Sequence, residues 1–331
     1  MTHRRSVIGM ALAGALGGLL AFSAPEAAGQ ALVHRYSFNG GAADSVGEAD
    51  GTVVGNVTFQ ADATQVNGVA VFGGGTSSAS PGYVRLPVTA VSGLQNATIE
   101  IFTTNFNVPK DLFNQPGGKF QTLFAMATAY GNQTNYVVMS PNRDGAGVGV
   151  GARTYSLAEN VVAAHDPLPV WRGNHVIDVV YSGFAGIGTR GTLTLYVDGL
   201  KTAQGQTAFS MARVAAAPGG VTTVGIGGGS PFNDPTFSGS ICEFRIFGGA
   251  LSAAQIAADV DAGPAVLGFV PAYSLGEAAR ALQIAAGAGP APTSAEVNRL
   301  NVTGDGGSAD GVNVADAVSI ARKAAGIESN P

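Results

Sequence analysis

Gly239-Ser-Ile-Cys-Glu-Phe-Arg-Ile-Phe247 is the stretch whose reading decides the fold. From Glu243 on, charged and apolar side chains alternate. Glu243 and Arg245 therefore share one face of an extended chain, and Phe244 belongs to the other, which is the pattern of a strand. Glu100 is a candidate partner for that charged face, in an ion network that locks strand register. Cys242, the only cysteine, sits in this apolar run and reads as a buried structural thiol. Upstream, Leu195-Tyr-Val-Asp-Gly199 ends in a tight hairpin signal, because Gly takes positive φ cheaply. Tyr196 and Phe244 read as core residues.

Working outward, runs rich in Thr, Val, Ile, Phe and Tyr recur between Gly, Asn, Asp and Pro. They cover Val33–Phe38, Gly68–Phe72, Tyr83–Leu86, Ala97–Thr103, Gln121–Ala125, Tyr136–Ser140, His175–Tyr181, Thr192–Val197, Thr222–Ile226 and Gly239–Phe247. No long helical pattern interrupts them. The expectation is an all-β chain of two antiparallel sheets packed face to face over residues 32–262.

The order of several motifs resembles the laminin G-like, concanavalin A-like jelly roll. Leu32–Phe38 with Asp44-Ser-Val-Gly47 is similar to the family's first strand and turn. Gly68–Gly73 followed by Tyr83-Val-Arg-Leu-Pro87, Ala97-Thr-Ile-Glu100, Asn174-His175-Val176, Leu195–Gly199 and Gly239–Phe247 with Ala250-Leu-Ser252 continue it. Phe102 stands where Trp is usual and Cys242 where Asp is usual. The resemblance implies an antiparallel jelly-roll sandwich. It also implies a structural calcium near the first turn and last strand, with Asp44 the best candidate ligand and Glu243 a poorer one.

At the C-terminal end, Asn301-Val-Thr303-Gly-Asp305 and Asp310-Gly-Val312-Asn313-Val-Ala-Asp316 precede an amphipathic helix. Short oxygen-bearing side chains on a glycine-rich loop suit a hard cation. The pattern resembles the second half of a dockerin domain, with Val312, Asn313 and Asp316 at its eighth, ninth and twelfth loop positions. Two registers stay open at the front. One begins at Asp305. The other runs Asn301, Thr303, Asp305, with four inserted residues before Val312. The alternative is a capped turn in which Asp316 favours the helix dipole. Glu277–Gly287 echoes Asp316–Gly326, and two apolar faces are expected: Leu275, Ala278, Leu282 and Ala285, then Val314, Ala317, Ala321 and Ala324. The resemblance implies a small α-helical dockerin-like module at 273–331, joined by a linker at 263–272, holding calcium and docking to a cohesin-like partner.

Arg4 and Arg5 before the apolar run Val7–Phe22 read as a secretory signal peptide over residues 1–31, cut after Ala31, with Ser23 and Gly29 as alternatives. The mature chain then carries no second long apolar segment, so no membrane span is expected in it. Its location is expected to be extracellular or at the cell surface. Charged residues make up 12% of the chain, and the net charge of −5 becomes −6 without the leader. No basic stripe indicates a nucleic-acid partner.

Catalysis finds no support in the motifs. Glycoside hydrolysis needs two acids flanking the sugar bond, and no Glu-x-Asp-x-x-Glu cluster occurs. No Gly-x-Ser-x-Gly elbow is present, and His165-Asp166 lies in a loop without a third partner. Binding through loops is the default expectation. Tyr130, Asn132 and Asn135 in one loop, and Arg143, Asp144 and Tyr155 in the next, offer aromatic faces and polar groups suited to a sugar. Trp171 reads as core. The leading reading is a secreted, non-catalytic protein that recognises a glycan or an extracellular protein. The runner-up is a structural matrix or cell-surface component, and the third is a glycan-processing enzyme.

Overall fold

The twelve-residue strand β15 (Thr236–Phe247) is the spine of the larger sheet. Its first half pairs with β4 (Gly68–Gly75), its last residues pair with β1 (Leu32–Tyr36), and β6 (Ala97–Asn107) runs along its other side. This computed structural model describes residues 30–61, 67–75, 82–107, 120–143, 147–163, 172–266, 275–292 and 312–324, with Val297 and Leu300. Trp171, His165 and Asp166 lie outside them.

Beyond β6 the sheet continues through β11 (Arg172–Ser182) and β12 (Gly191–Val197) to β13 (Leu200–Thr207); beyond β4 it ends on β3 (Val57–Ala61). The second sheet has the order β10 (Leu157–Ala163), β9 (Gly149–Thr154), β8 (Tyr136–Ser140), β7 (Phe124–Ala127), β14 (Thr223–Ile226), β5 (Gly82–Leu86), β2 (Thr52–Gly55). Every strand pair is antiparallel, and the chain crosses between sheets at β1–β2–β3, β4–β5–β6–β7, β10–β11 and β13–β14–β15. The result is a two-sheet antiparallel sandwich consistent with a jelly roll.

Alternation sorts each strand between two environments. Ile99 and Ile101, Ile177 and Val179, Leu193 and Leu195, and Phe244 and Ile246 face the second sheet and join Tyr36, Phe124, Met126, Val137, Met139 and Val224 in one core. Phe244 stacks on Phe124 with ring centroids 5.8 Å apart. The hairpin Asp198-Gly199 has φ of 51° and 77°, the mirror-image turn that matches strand twist.

The residues between those positions form the outer face of the larger sheet, and the centre of this face is also buried. Helix α2 (Ala253–Ala262), which follows the short helix α1 (Met211–Ala216), opens with a Ser252–Gln255 capping box. It places Ile256 and Val260 against Val180, Tyr196 and Phe247. Tyr196 is thus buried on the outer face beneath α2, not within the sandwich. Cys242 is buried beside Phe102 and Val69.

Charges cross this outer face in one register row: Tyr196 opposite Asp178, Asp178 opposite Glu100, Glu100 opposite Arg245, Arg245 opposite Arg35. The Arg245 guanidinium is fully buried, with Nη1 2.8 Å from Glu100 Oε2 and Nε 2.9 Å from Glu243 Oε1. It also lies 4.9 Å above the centroid of the Phe102 ring. Glu100 is the partner expected from the alternation.

The C-terminal helices α3 (Leu275–Ala285) and α4 (Val314–Ala324) pack through Ala278, Ala281, Ile284, Ala317 and Ile320, with Leu300 and Val312. The expected faces are rotated: Leu282 and Val314 are exposed. In alanine-rich helices the branched Ile284 and Ile320 have most to gain from burial and set the stripe. Gly287 ends α3 with φ of 63°. Among the described residues no helix is long and apolar enough to cross a membrane.

Candidate ligand-binding face

The outer face of the second sheet is floored by small side chains: Ala125, Ala127, Val138, Gly149 and Gly151. Two loops rise over it. The β7–β8 turn carries Tyr130, and the β14–β15 loop carries Ser230-Pro-Phe-Asn-Asp-Pro235. They are joined by a bond from the Gly131 amide to the Pro231 carbonyl at 3.0 Å. A second tie runs from the Tyr130 hydroxyl to Asn233 Oδ1 at 3.1 Å. The Tyr130 ring remains 56% exposed although its hydroxyl is held. Phe232 meets Tyr136 edge-on, with centroids 4.9 Å apart.

Charge lies on the same face. Arg143 forms an ion pair with Glu159 of β10, and its guanidinium carbon is 5.8 Å from the Phe120 ring centroid. A Cβ at Gly151 would stand 2.5 Å from Glu159 Oε1 and 2.6 Å from the guanidinium carbon, so a side chain there would push the ends of this pair aside. Burial pushes the Asp234 carboxyl above its ordinary range, against the opposing effects of the Ser230 hydroxyl and the Arg143 charge. Burial, reinforced by the charge of Glu159, raises the Tyr136 phenol as well.

The expected binding residues therefore divide. Tyr130 and Arg143 belong to this face. Tyr155 is 69% exposed in the turn between β9 and β10. Asn132 accepts from the Thr134 amide and hydroxyl and shapes the β7–β8 turn. Asn135 is fully buried: its amide donates to the carbonyls of Pro218 and Gly220, and its Oδ1 accepts the Tyr155 amide, so it braces loops and cannot reach a ligand. Asp144 lies outside the described residues. Sequence reasoning missed Phe232, Asn233, Asp234 and Glu159. The cluster of Pro, Asn and Asp around Phe232 was the available signal of an aromatic displayed on a turn.

The expected calcium ligands of the sandwich do not fit a cation as they stand. Asp44 Oδ1 accepts the amides of Arg35, Val46 and Gly47, while Oδ2 accepts that of Ala49 and lies 2.6 Å from His34 Nδ1. Burial alone would raise this carboxyl, but those donors outweigh it and hold it at about 2. Glu243 is taken up by Arg35 at 2.5 Å, Arg245, and the Asn67 amide at 2.8 Å. Both carboxylates have their lone pairs committed to N–H donors, which a metal would have to displace.

In the C-terminal module, Asn301, Thr303, Asp305 and Asp310 lie outside the described residues. Asn313 and Asp316 come together as a reciprocal cap on α4. Asn313 Oδ1 accepts the amides of Ala315 at 2.7 Å and Asp316 at 3.2 Å, and Asp316 Oδ2 accepts that of Asn313 at 2.8 Å. Among the described residues no cluster of three or more His, Cys, Asp or Glu side chains has metal-binding geometry.

Residues 113–257, which include β7 through β15 and the first half of α2, match the laminin G-type family model of the concanavalin A-like lectin/glucanases superfamily. Comparison with curated proteins gives no match. Among solved structures, the chain is similar to the receptor-binding domain of botulinum neurotoxin type G, at 13% identity and a TM-score of 0.44, covering 70% of this chain and 51% of that one. It is similar to the CBM40 module of the Ruminococcus gnavus IT-sialidase, at 16% identity and a TM-score of 0.38, covering 63% and 95%. It is also similar to leech intramolecular trans-sialidase, at 18% identity and a TM-score of 0.37, covering 52% and 24%. The chain thus spans about half of the first of these proteins and about a quarter of the last.

Proposed function

We propose that this chain is a secreted, non-catalytic binding protein whose sandwich recognises a carbohydrate or an extracellular protein across the Tyr130–Arg143 face. The observation that carries this reading is Tyr130: a large ring kept in solvent by a hydroxyl tethered to Asn233, beside a fixed guanidinium–carboxylate pair. An immobilised aromatic face loses little entropy on binding, and neighbouring amides and charges suit hydroxyl groups. The superfamily match, which includes lectins by its description, supports the carbohydrate half of the reading. The non-catalytic half is supported by the acids themselves: Glu100, Asp178, Glu243 and Asp259 are fully buried, and Glu159 is held by Arg143.

A glycan array tests it. The parent chain is expected to bind a defined glycan class, and Tyr130→Ala to weaken that binding at least tenfold. The variant's stability should change by no more than about 0.5 kcal/mol, as for an exposed side chain away from the core. Binding unaffected by the substitution overturns the assignment of this face. A featureless array together with self-association favours the matrix-component reading. Turnover of a polysaccharide that disappears on Glu159→Gln favours the enzyme.

Calcium at residues 301–316 is the second part of the proposal, with docking to a cohesin-like partner as its use. Asn313 and Asp316 are hard-oxygen residues placed side by side at the start of α4, and the ion would take over oxygens that now accept the amides of the cap. When bound, the ion would tie the loop to the helix and couple loop order to helix stability. Titration calorimetry of the full chain should give a calcium isotherm in the micromolar to millimolar range, about the span of sensor and extracellular sites. Asp316→Ala should abolish it. An absence of heat at millimolar calcium overturns the metal and leaves Asn313 and Asp316 as a helix cap.

A further inference from the structure

The outer face of the larger sheet holds more acid than base. Glu100, Asp178, Glu243 and Asp259 stand against Arg245 and Arg35, and all four acids are fully buried. Glu243 is bonded to both guanidiniums, and Arg245 Nη1 faces Glu100 at 2.8 Å and Asp259 at 3.7 Å. Asp178 is left with no N–H or hydroxyl donor among the described residues on either oxygen, and Glu100 Oε1 is in the same state. The two carboxyls stand directly opposite each other on adjacent strands, both fully buried. Two ionised carboxylates facing each other in a dry site, with no donor on these oxygens, repel, and one proton held between them removes that repulsion.

Above this pair runs a strap. The Thr98 hydroxyl accepts the Leu251 amide at 2.9 Å, and α2 follows, lowering Asp259 onto the cluster. The next residues cross the sheet as bare carbonyls. Pro264 accepts from Arg35, Asn67 and Arg245, Ala265 from Arg35, and Val266 from Arg245 at 2.8 Å. Residues 263–266, expected to be linker, are thus held by the same guanidiniums that neutralise the acids. The strap leads towards α3 and the C-terminal module.

We propose that Glu100 and Asp178 share one proton, and that its loss as pH rises loosens the strap Ser252–Val266 from the sheet. The groups facing the pair are Tyr196 from β12, Arg245, Glu243 and Cys242 from β15, Arg35 from β1 and Asp259 from α2. Cys242 gives its thiol hydrogen to the Phe102 carbonyl, and Tyr196 is a phenol, so neither offsets a second negative charge. The ionised pair would repel Asp259 and compete with the strap carbonyls for Arg245. The direction agrees with the environment. Burial pushes Glu100 up to about 7, assisted by Asp259 and opposed by Arg245, and burial with the Glu100 charge pushes Asp178 well above the ordinary carboxylate range.

The sign follows from linkage. Folded-state values lie above those of solvated carboxyls, so the closed strap binds more protons than the open one above about pH 4 and loses stability as pH rises towards the folded value. One proton released per opening makes opening about tenfold more frequent per pH unit. Hydrogen exchange of the full chain, corrected for the intrinsic chemical rate, reads this directly. Between pH 5 and 7, protection of peptides within 253–266 should fall roughly tenfold per unit. Peptides within 124–140 of the second sheet should keep theirs. Asp178→Asn should flatten the dependence by replacing the shared proton with an amide donor, and Glu100→Gln should do the same. Flat protection in the parent chain overturns the proposal without any variant. So does a parallel loss in both regions, which would mean global opening, or an unchanged slope in a folded Asp178→Asn or Glu100→Gln protein.

Discussion

Replacing Arg245 with Met lowers the unfolding free energy by about 3–5 kcal/mol, the range for breaking a buried ion pair from one side. The guanidinium faces Glu100, Glu243 and Asp259 and supports the carbonyls of Pro264 and Val266. Methionine fills much of the volume and supplies none of the charge. The acids are then left in a dry environment with Arg35 as their remaining guanidinium, and they must take up protons or admit water. Urea denaturation measures the loss as a lower midpoint with little change in slope. The loss should shrink in acid, where protonation removes the uncompensated charge. A variant within about 0.5 kcal/mol of the parent would show that the cluster is not a structural centre.

Phe244→Ala is expected to cost a similar amount, about 3–5 kcal/mol, by a different route. The ring is fully buried between Tyr36, at 6.0 Å between centroids, and Phe124, at 5.8 Å. Its removal leaves a void between two sheets whose strands are pinned by hydrogen bonds and cannot close over it. This cost should not depend on pH in the acid and neutral range, since the titratable groups of this core, Tyr36 and Tyr181, are phenols that burial raises further, and that separates it from Arg245→Met in the same denaturation series.

Ten strands were legible as apolar, β-branched and aromatic runs, and all ten have counterparts. Five were not: β2, β3, β9, β10 and β13. Four of these, β2, β3, β10 and β13, are the outer strands at the ends of the two sheet orders. An outer strand has one neighbour and partial cover, so it accepts polar residues, as Leu200-Lys-Thr-Ala-Gln-Gly-Gln-Thr207 does, and its alternation fades. The fifth, β9, carries Gly149 and Gly151, over which Arg143 lies, and glycine weakens a strand signal.

The candidate site was half legible for a related reason. Tyr130 and Arg143 stood out as an aromatic and a charge in polar loops. Phe232, Asn233 and Glu159 come from loops and strands far away in sequence, and only the pairing of β14 with β7, and of β10 with β9, brings them alongside. Asn135 shows the converse: its composition suited a sugar, yet three backbone groups claim its amide.

The sequence by itself determined the β-sandwich and the two faces of β15, with Phe244 in the core and Glu243 and Arg245 opposite it, and it offered Glu100 as a candidate partner, because period-two alternation is a local property that survives without neighbours. It also located the start of α4, where Asn313 and Asp316 cap one another three residues apart. The tertiary structure alone decided that the centre of the larger sheet's outer face is buried as well. Alternation says which side chains share a face, but not what lies on top of it. Placing α2 and residues 263–266 over Asp178 and Glu100 turned a row that could have been a solvated surface into a buried acid pair, because burial depends on the path of the chain and not on the residues it covers.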